Sequence, residues 1–305
     1  MKLKHLLFVS ALALFMNSCS GDDVSTQGVK GTPIKFTANI QAMALSNGTR
    51  VSSNTSGIIT NEFPVGTEIS VGYSNVNSSV PPILKRTETG WDYTDLELYY
   101  PLDGASQTIY AIYPTITKSI QSFIYGSYTC PADQSQIAGY QSADLMAAQT
   151  TVSTPSETPV SLTFKHLGAK INVNLISASS TYGYTITMKD ILTKTMFSVS
   201  PLTLYSNPPS GGANGDVIFG SYNNYAQTAI IIPQKISEGK VLFEVTNGSL
   251  TFTYTTSSEI TFKAGKEYTF NLTFSQTSIT PDDITVGGWT EDSSQTEAIA
   301  GELTR

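Results

Sequence analysis

Few residues in this 305-residue sequence could carry chemistry, and each has an identifiable setting. Cys19 is the first. Lys2, Lys4 and His5 form a basic start, and Leu6 to Met16 is an apolar run. That run is too short to cross a bilayer as a helix, which takes ~20 apolar residues, and it reads as a secretory signal over residues 1–18. A cysteine directly after such a run is where diacylglycerol transfer and lipoprotein signal cleavage occur, so Cys19 is the candidate lipidation residue. Met16 and Asn17 depart from the leucine and small residue usual before that cysteine. An ordinary signal with an incidental Cys19 is the competing reading. His166 is the one histidine beyond the signal and lies inside the alternating run Leu162 to Leu175. A lone histidine there reads as a strand residue with a satisfied hydrogen bond, and no Ser-His-Asp set can be built without it. Cys130 has no basic cluster beside it and reads as a packed free thiol. No cysteine pair spaced for zinc and no calcium loop is present. Asp22-Asp23 and Asp282-Asp283 are adjacent carboxylates of the kind usually solvated in turns. Gly211-Gly212-Ala213-Asn214-Gly215 lacks the lysine and following helix of a phosphate loop. The sequence therefore points to no enzyme, no cofactor and no metal.

Bulk composition narrows the class further. Removing residues 1–18 takes away Lys2 and Lys4 and no acidic residue, so the formal charge moves from −7 to −9. Sparse, scattered basic residues exclude a nucleic-acid partner. With Cys19 lipidated, Cys130 alone remains and no intramolecular disulfide can form. Stability must then come from burying apolar surface. The 287 residues after Ser18 suit two domains better than one.

The elements read as strands throughout. Residues 19–32 are polar and glycine-containing, a tether. From Pro33 the pattern has period two: Ile34, Phe36, Ala38 and Ile40 on one face, Lys35, Thr37, Asn39 and Gln41 on the other. The alternation recurs at Ile69/Val71/Tyr73, Leu96/Leu98/Tyr100, Ile109/Ala111/Tyr113, Leu162/Phe164, Ile171/Val173/Leu175, Ile186/Met188 and Tyr268/Phe270/Leu272/Phe274. Asn247-Gly248 is the preferred pair for a type I′ turn. A two-residue loop there sets Val245 opposite Leu250, Phe243 opposite Phe252 and Val241 opposite Tyr254. No stretch shows a sustained helical period with caps. The expected fold is all-β, built of antiparallel sandwiches. Thr150 to Pro159 reads as a connector, with a domain boundary near residue 160, giving domains over 33–160 and 161–305. Pro208 to Asp216 reads as a glycine-rich surface loop, and residues 290–305 as a polar, extended or frayed tail.

Several segments, taken in order, resemble the fimbrillin family of Mfa-like, type V pilins. They are the Cys19 start, Ile34-Lys35-Phe36 followed by Thr49-Arg50-Val51, and Gln107 to Pro114 (QTIYAIYP). Asp144 to Ala148, Leu162 to Leu175 (LTFKHLGAKINVNL), Phe262 to Leu272 (FKAGKEYTFNL) and Ile284 to Trp289 complete the set. His166 falls in the family's histidine position. Ser20-Gly21-Asp22-Asp23 is similar to the surface-export signal of Bacteroidetes lipoproteins. The resemblance implies two transthyretin-like sandwich domains, transport to the cell outer membrane as a surface lipoprotein, and assembly into fimbriae by strand exchange with other subunits. It also implies a trypsin-like processing protease that cuts after a basic residue and frees the first strand. Arg50 is the one arginine in the polar linker after that strand, which makes it the candidate cut site, an ordinary exposed arginine being the alternative. The candidate displaced strand carries Ile34, Phe36, Ala38 and Ile40. Loss of a strand with such a face exposes an apolar groove and unpaired edges. The tail after Trp289 would make a poor donor strand, which fits a terminal or accessory subunit. A surface glycan-binding lipoprotein is the second reading, resting on the local cluster Trp91, Tyr93, Tyr99 and Tyr100.

Overall fold

In a computed structural model of the protein the described residues are 31–41, 62–73, 81–93, 96, 98–115, 125–176, 183–208, 211–221, 226–248, 250–274, 279–289 and 301–304. Cys19 and Arg50 lie outside them.

The period-two segments of the first half join one sheet. Its strands are β1 (Phe36–Ile40), β2 (Glu68–Tyr73), β3 (Ile83–Thr87), β4 (Gly90–Asp92) and β5 (Gln107–Tyr113). After β6 (Tyr125–Thr129), which belongs elsewhere, come β7 (Met146–Val152) and β8 (Val160–His166). The order is β1-β8-β7-β5-β2-β3-β4, with β1 parallel to β8 and the other neighbours antiparallel. The sheet coils until β4 lies beside β1. It wraps a core that includes Ile34, Phe36, Ile40, Phe63, Ile69, Val71, Ile109, Leu162 and Phe164. β5 carries the apolar run Ile109–Tyr113, and β7 opens on Met146-Ala147-Ala148, because both faces are covered there. Ile109 and Ala111 face this core, while Tyr110, Ile112 and Ala147 pack with Leu167, Phe197, Val199 and Leu204 of the second half.

Leu167-Gly168 carries the chain across. A Cβ on Gly168 would stand 2.7 Å from Ile230 Cγ2 and 3.2 Å from the Ile231 carbonyl, so only glycine fits this corner. The remaining strands are β9 (Ala169–Ile176), β10 (Thr185–Val199), β11 (Leu202–Leu204), β12 (Ala213–Ile218), β13 (Ala226–Ile231), β14 (Gln234–Ile236), β15 (Val241–Asn247), β16 (Leu250–Thr256), β17 (Ile260–Phe262), β18 (Lys266–Phe274), β19 (Ile279–Gly288) and β20 (Gly301–Thr304). One sheet runs β11-β10-β15-β16-β20, with β6 and β12 also on the long β10. A second sheet runs β13-β9-β18-β19, and β14 pairs with β17. Ile171 and Val173 from β9, Phe270 and Leu272 from β18, Met188 from β10, Phe243 from β15 and Tyr254 from β16 share one core. The all-β expectation holds.

Several local expectations need correction. The hairpin turns one residue later than Asn247-Gly248: Asn247 pairs with Leu250, Val245 with Phe252 and Phe243 with Tyr254. Gly248 takes φ 57° in that turn. This register sets Phe252 and Tyr254 inside and leaves Leu250 and Val241 outside, 43% and 39% exposed. A two-residue slip keeps the same face inward, so alternation alone does not distinguish the two registers. Leu96, Leu98 and Tyr100 are buried as alternation implies, but among the described residues their segment makes the isolated Pro33–Tyr99 bridge and no strand. The expected loop 208–216 is in part strand, since β12 starts at Ala213. Thr150 to Val152 belong to β7, and residues 153–159 connect two strands of the same sheet. Of the tail, residues 301–304 pair with β16. A seven-residue helix, α1 (Ile137–Ala143), has no side-chain cap and lies on β13, burying Tyr140 and Ala143 against Ile230.

Candidate functional site around the first strand

β1 is an end strand held on one side. Its five residues run parallel to β8, Phe36 opposite Val160 through Ile40 opposite Phe164. Lys35 C=O accepts from Val160 N–H at 2.8 Å, and Gln41 N–H donates to Phe164 C=O at 2.8 Å. Ile34, Phe36 and Ile40 are 1–2% exposed and Ala38 is half-buried. Each large apolar side chain so buried contributes ~1.5–3 kcal/mol relative to exposure. Lys35 adds an ion pair with Glu157 at 2.6 Å, which raises the lysine pKa and lowers that of the glutamate through the shared hydrogen bond. Both groups face solvent, so the pair adds little. The strand is therefore held by core contacts and one ladder.

The other side of β1 is only partly covered. Ile34 N–H donates to Leu98 C=O and Tyr100 N–H to Thr32 C=O, both at 2.9 Å. The covering segment is fixed by Tyr73, whose hydroxyl accepts from Tyr99 N–H at 2.8 Å. Burial raises the Tyr73 pKa. Beyond Ile34 a groove of about 840 Å³ opens between β1 and β4. Phe36, Ala38 and Asn39 line one wall, and Arg86, Trp91 and Tyr93 line the other. Trp91 Nε1–H donates to Ala38 C=O at 3.1 Å across it. The four aromatics of the cluster Trp91 to Tyr100 do not form one open platform, because Tyr100 is buried in the core and Trp91 packs edge-on against Phe63.

A second polar group lies where the two halves meet. His166, the last residue of β8, has a fully buried side chain, and its Nδ1 is 2.7 Å from Asp144 Oδ1. Trp289 stacks on the ring at 3.9 Å and 14°. Trp289 N–H donates to Gly265 C=O, and Gly265 N–H to Gly168 C=O, which seats the indole. An acidic partner at Nδ1 fixes the proton there, and Nε2 has no hydrogen-bond partner among the described residues. This is the setting of a packed histidine that joins elements. Nearby, Cys130 is 2% exposed and burial pushes its pKa up to about 12. No group of three or more metal-ligating side chains occurs among the described residues, and no described helix is long and apolar enough to cross a membrane.

Sequence reasoning missed three buried glutamines that brace the backbone elsewhere in the fold. Gln134 takes Ile230 N–H on Oε1 at 2.8 Å and donates Nε2–H to Ile230 C=O at 2.7 Å, as a paired strand would. Gln227 bonds Ile186 N–H and Tyr184 C=O, and Gln234 bonds both backbone groups of Leu192. Nothing in the alternation marks a glutamine as an interior amide clasp.

Comparison with known proteins gives a consistent picture. A family model described as fimbrillin-like matches residues 28–289. Among curated proteins no sequence matches the chain. A candidate cell adhesion protein of Bacteroides ovatus superposes with a TM-score of 0.62 at 17% identity, over 83% of this chain and 97% of the other. A second, from Bacteroides uniformis, gives 0.61 at 16% identity, over 84% and 98%. A third, from Bacteroides thetaiotaomicron, gives 0.51 at 15% identity, over 79% and 93%. At these identities the likeness is one of fold.

Proposed function

The chain belongs to the fimbrillin-like family, and from that membership we propose that it is a structural or adhesive subunit of cell-surface fimbriae, assembled by protease-triggered exchange of β1. One observation carries the reading: β1 is an end strand with a single ladder, yet it supplies three large side chains to the first core. Such a strand is retained by contacts that another extended segment can reproduce. Its departure leaves the β8 edge unpaired and the core open, which favours capture of a replacement strand. In this reading Cys19 carries the lipid that brings the chain to the outer membrane, and residues 19–32 act as tether. Cleavage after Arg50 then severs β1 from the rest of the fold. The two halves act as two domains along the fibre. A tail that cannot donate a strand would place the subunit at a fibre end.

The test is capture of a synthetic peptide of residues 33–41. Chain cut after Arg50 should bind the labelled peptide slowly and in a one-to-one ratio, while uncut chain should take up none. Equal uptake by both forms, or none by the cut form, would remove β1 exchange from the account. For the anchor, the intact mass of membrane-extracted protein should show an acylated N-terminus at Cys19. An unmodified N-terminus elsewhere would sink that part.

A further inference from the structure

Along β1 the odd-numbered residues turn their backbone groups toward β8, and the even-numbered ones turn theirs toward the groove. Lys35 C=O and Gln41 N–H bond to β8, whereas Ile34 N–H and Ala38 C=O are bonded on the groove side. Of the groove-side backbone groups of residues 36–40, the Ala38 carbonyl alone has a partner among the described residues, the Trp91 indole. Neighbouring strands lie about 4.8 Å apart. An indole reaching in from β4 thus spans a gap that backbone pairing could close only with another strand.

The indole is itself held in place. Trp91 pairs with Arg86 across β3 and β4, and the Arg86 guanidinium carbon lies 6.0 Å from the ring centroid. Phe63 meets the indole edge-on at 5.6 Å and meets Phe164 of β8 at 5.1 Å. The N–H therefore stands at one fixed point relative to the β8 ladder. Beside it, the inward row of β1 reads large, large, small, large at Ile34, Phe36, Ala38 and Ile40. The small residue falls where the indole crosses.

We propose that Trp91 is the retaining clasp and register mark of the β1 seat. It holds the resident strand by the Ala38 carbonyl, and it admits in exchange a neighbouring subunit's strand that offers a carbonyl there above a small side chain. This rests on the reading of β1 as the exchanged strand. A one-residue slip turns the carbonyl toward β8 and the apolar row outward. A two-residue slip restores both but brings Phe36 or Ile40 under the indole. One register satisfies every requirement.

Trp91→Phe removes the donor and keeps an apolar ring. In uncut full-length chain, hydrogen exchange at the Val160 and Gln41 amides should quicken about three- to tenfold, the worth of one hydrogen bond, while β9 and β18 amides keep wild-type rates. In chain cut after Arg50, the 33–41 peptide should leave the variant about three- to tenfold faster than wild type. A peptide with Ala38→Leu should bind wild type more weakly, with a smaller penalty in the variant. Unchanged exchange at Val160 and Gln41 overturns the clasp. So does equal acceleration in β9 and β18, which marks general destabilisation. Faster β1 exchange in uncut variant, with no peptide captured by any cut chain, upholds the clasp and discards strand exchange instead.

Discussion

Cys130 holds its thiol 3.3 Å from the Ile230 carbonyl and 3.4 Å from the Gln134 amide nitrogen. Burial, the largest influence on it, raises its pKa from 9.0 to about 12. Burial likewise raises Tyr254 from 10.0 to about 12, and Tyr113 and Tyr128 well above their ordinary value. Raised values mean that the unfolded chain loses these protons first. Their contribution is fully present below pH about 9 and is lost as pH climbs toward about 12. The denaturant midpoint should hold from pH ~7 to ~9 and fall above that, and a thiol reagent at pH ~8 should label the unfolded chain but not the native one. Rapid labelling of native protein at Cys130 itself, located by peptide mapping, would contradict its buried setting. That setting was partly legible, since an isolated cysteine reads as packed. The glutamine clasps were not, because an amide that mimics a strand is visible only once its partner strand is placed.

At the scale of elements, alternation located β1, β8 and β18 because each buries one face, and it marked β2, β5 and β9 although these bury residues on both faces. It failed where backbone and side chain part company. Leu98 and Tyr100 alternate inward, but their backbone goes to Ile34 and Thr32 and makes no ladder. The β15–β16 register escaped for a related reason: two registers bury the same face, and the pattern alone does not choose between them. Phe270 is fully buried and meets Phe243 at 4.8 Å and 83°. Replacing Phe270 by Ala should cost about 3–5 kcal/mol through lost transfer energy and a residual cavity. Phe252→Ala should cost a similar amount, because Phe252 is 3% exposed in the same core. Urea denaturation checks both, and a loss below ~1 kcal/mol at both sites would refute this core. α1 stayed hidden for want of length and caps.

Across the whole molecule, a coiled sheet and a sandwich meet at Leu167-Gly168, with His166, Asp144 and Trp289 packed at the joint. The ordered resemblance to fimbrillins was legible because it runs through nearly all of the chain, and the family match over residues 28–289 agrees with it. The site was legible as a strand with one apolar face. Its one-sided ladder and its groove were not, since both depend on β4 returning beside β1. If β1 is retained but replaceable, limited trypsin treatment should change the oligomeric state. Wild-type chain should be monomeric when uncut, should be cut first after Arg50, and should form oligomers only afterwards, slowly, because the resident strand must leave first. Arg50→Ala should lose that cut and the oligomers together, with thermal stability little changed. Clean cleavage with no oligomers would mark a fibre-end subunit without a donor strand of its own, whereas first cleavage elsewhere, or oligomers formed by uncut Arg50→Ala protein, would contradict β1 exchange.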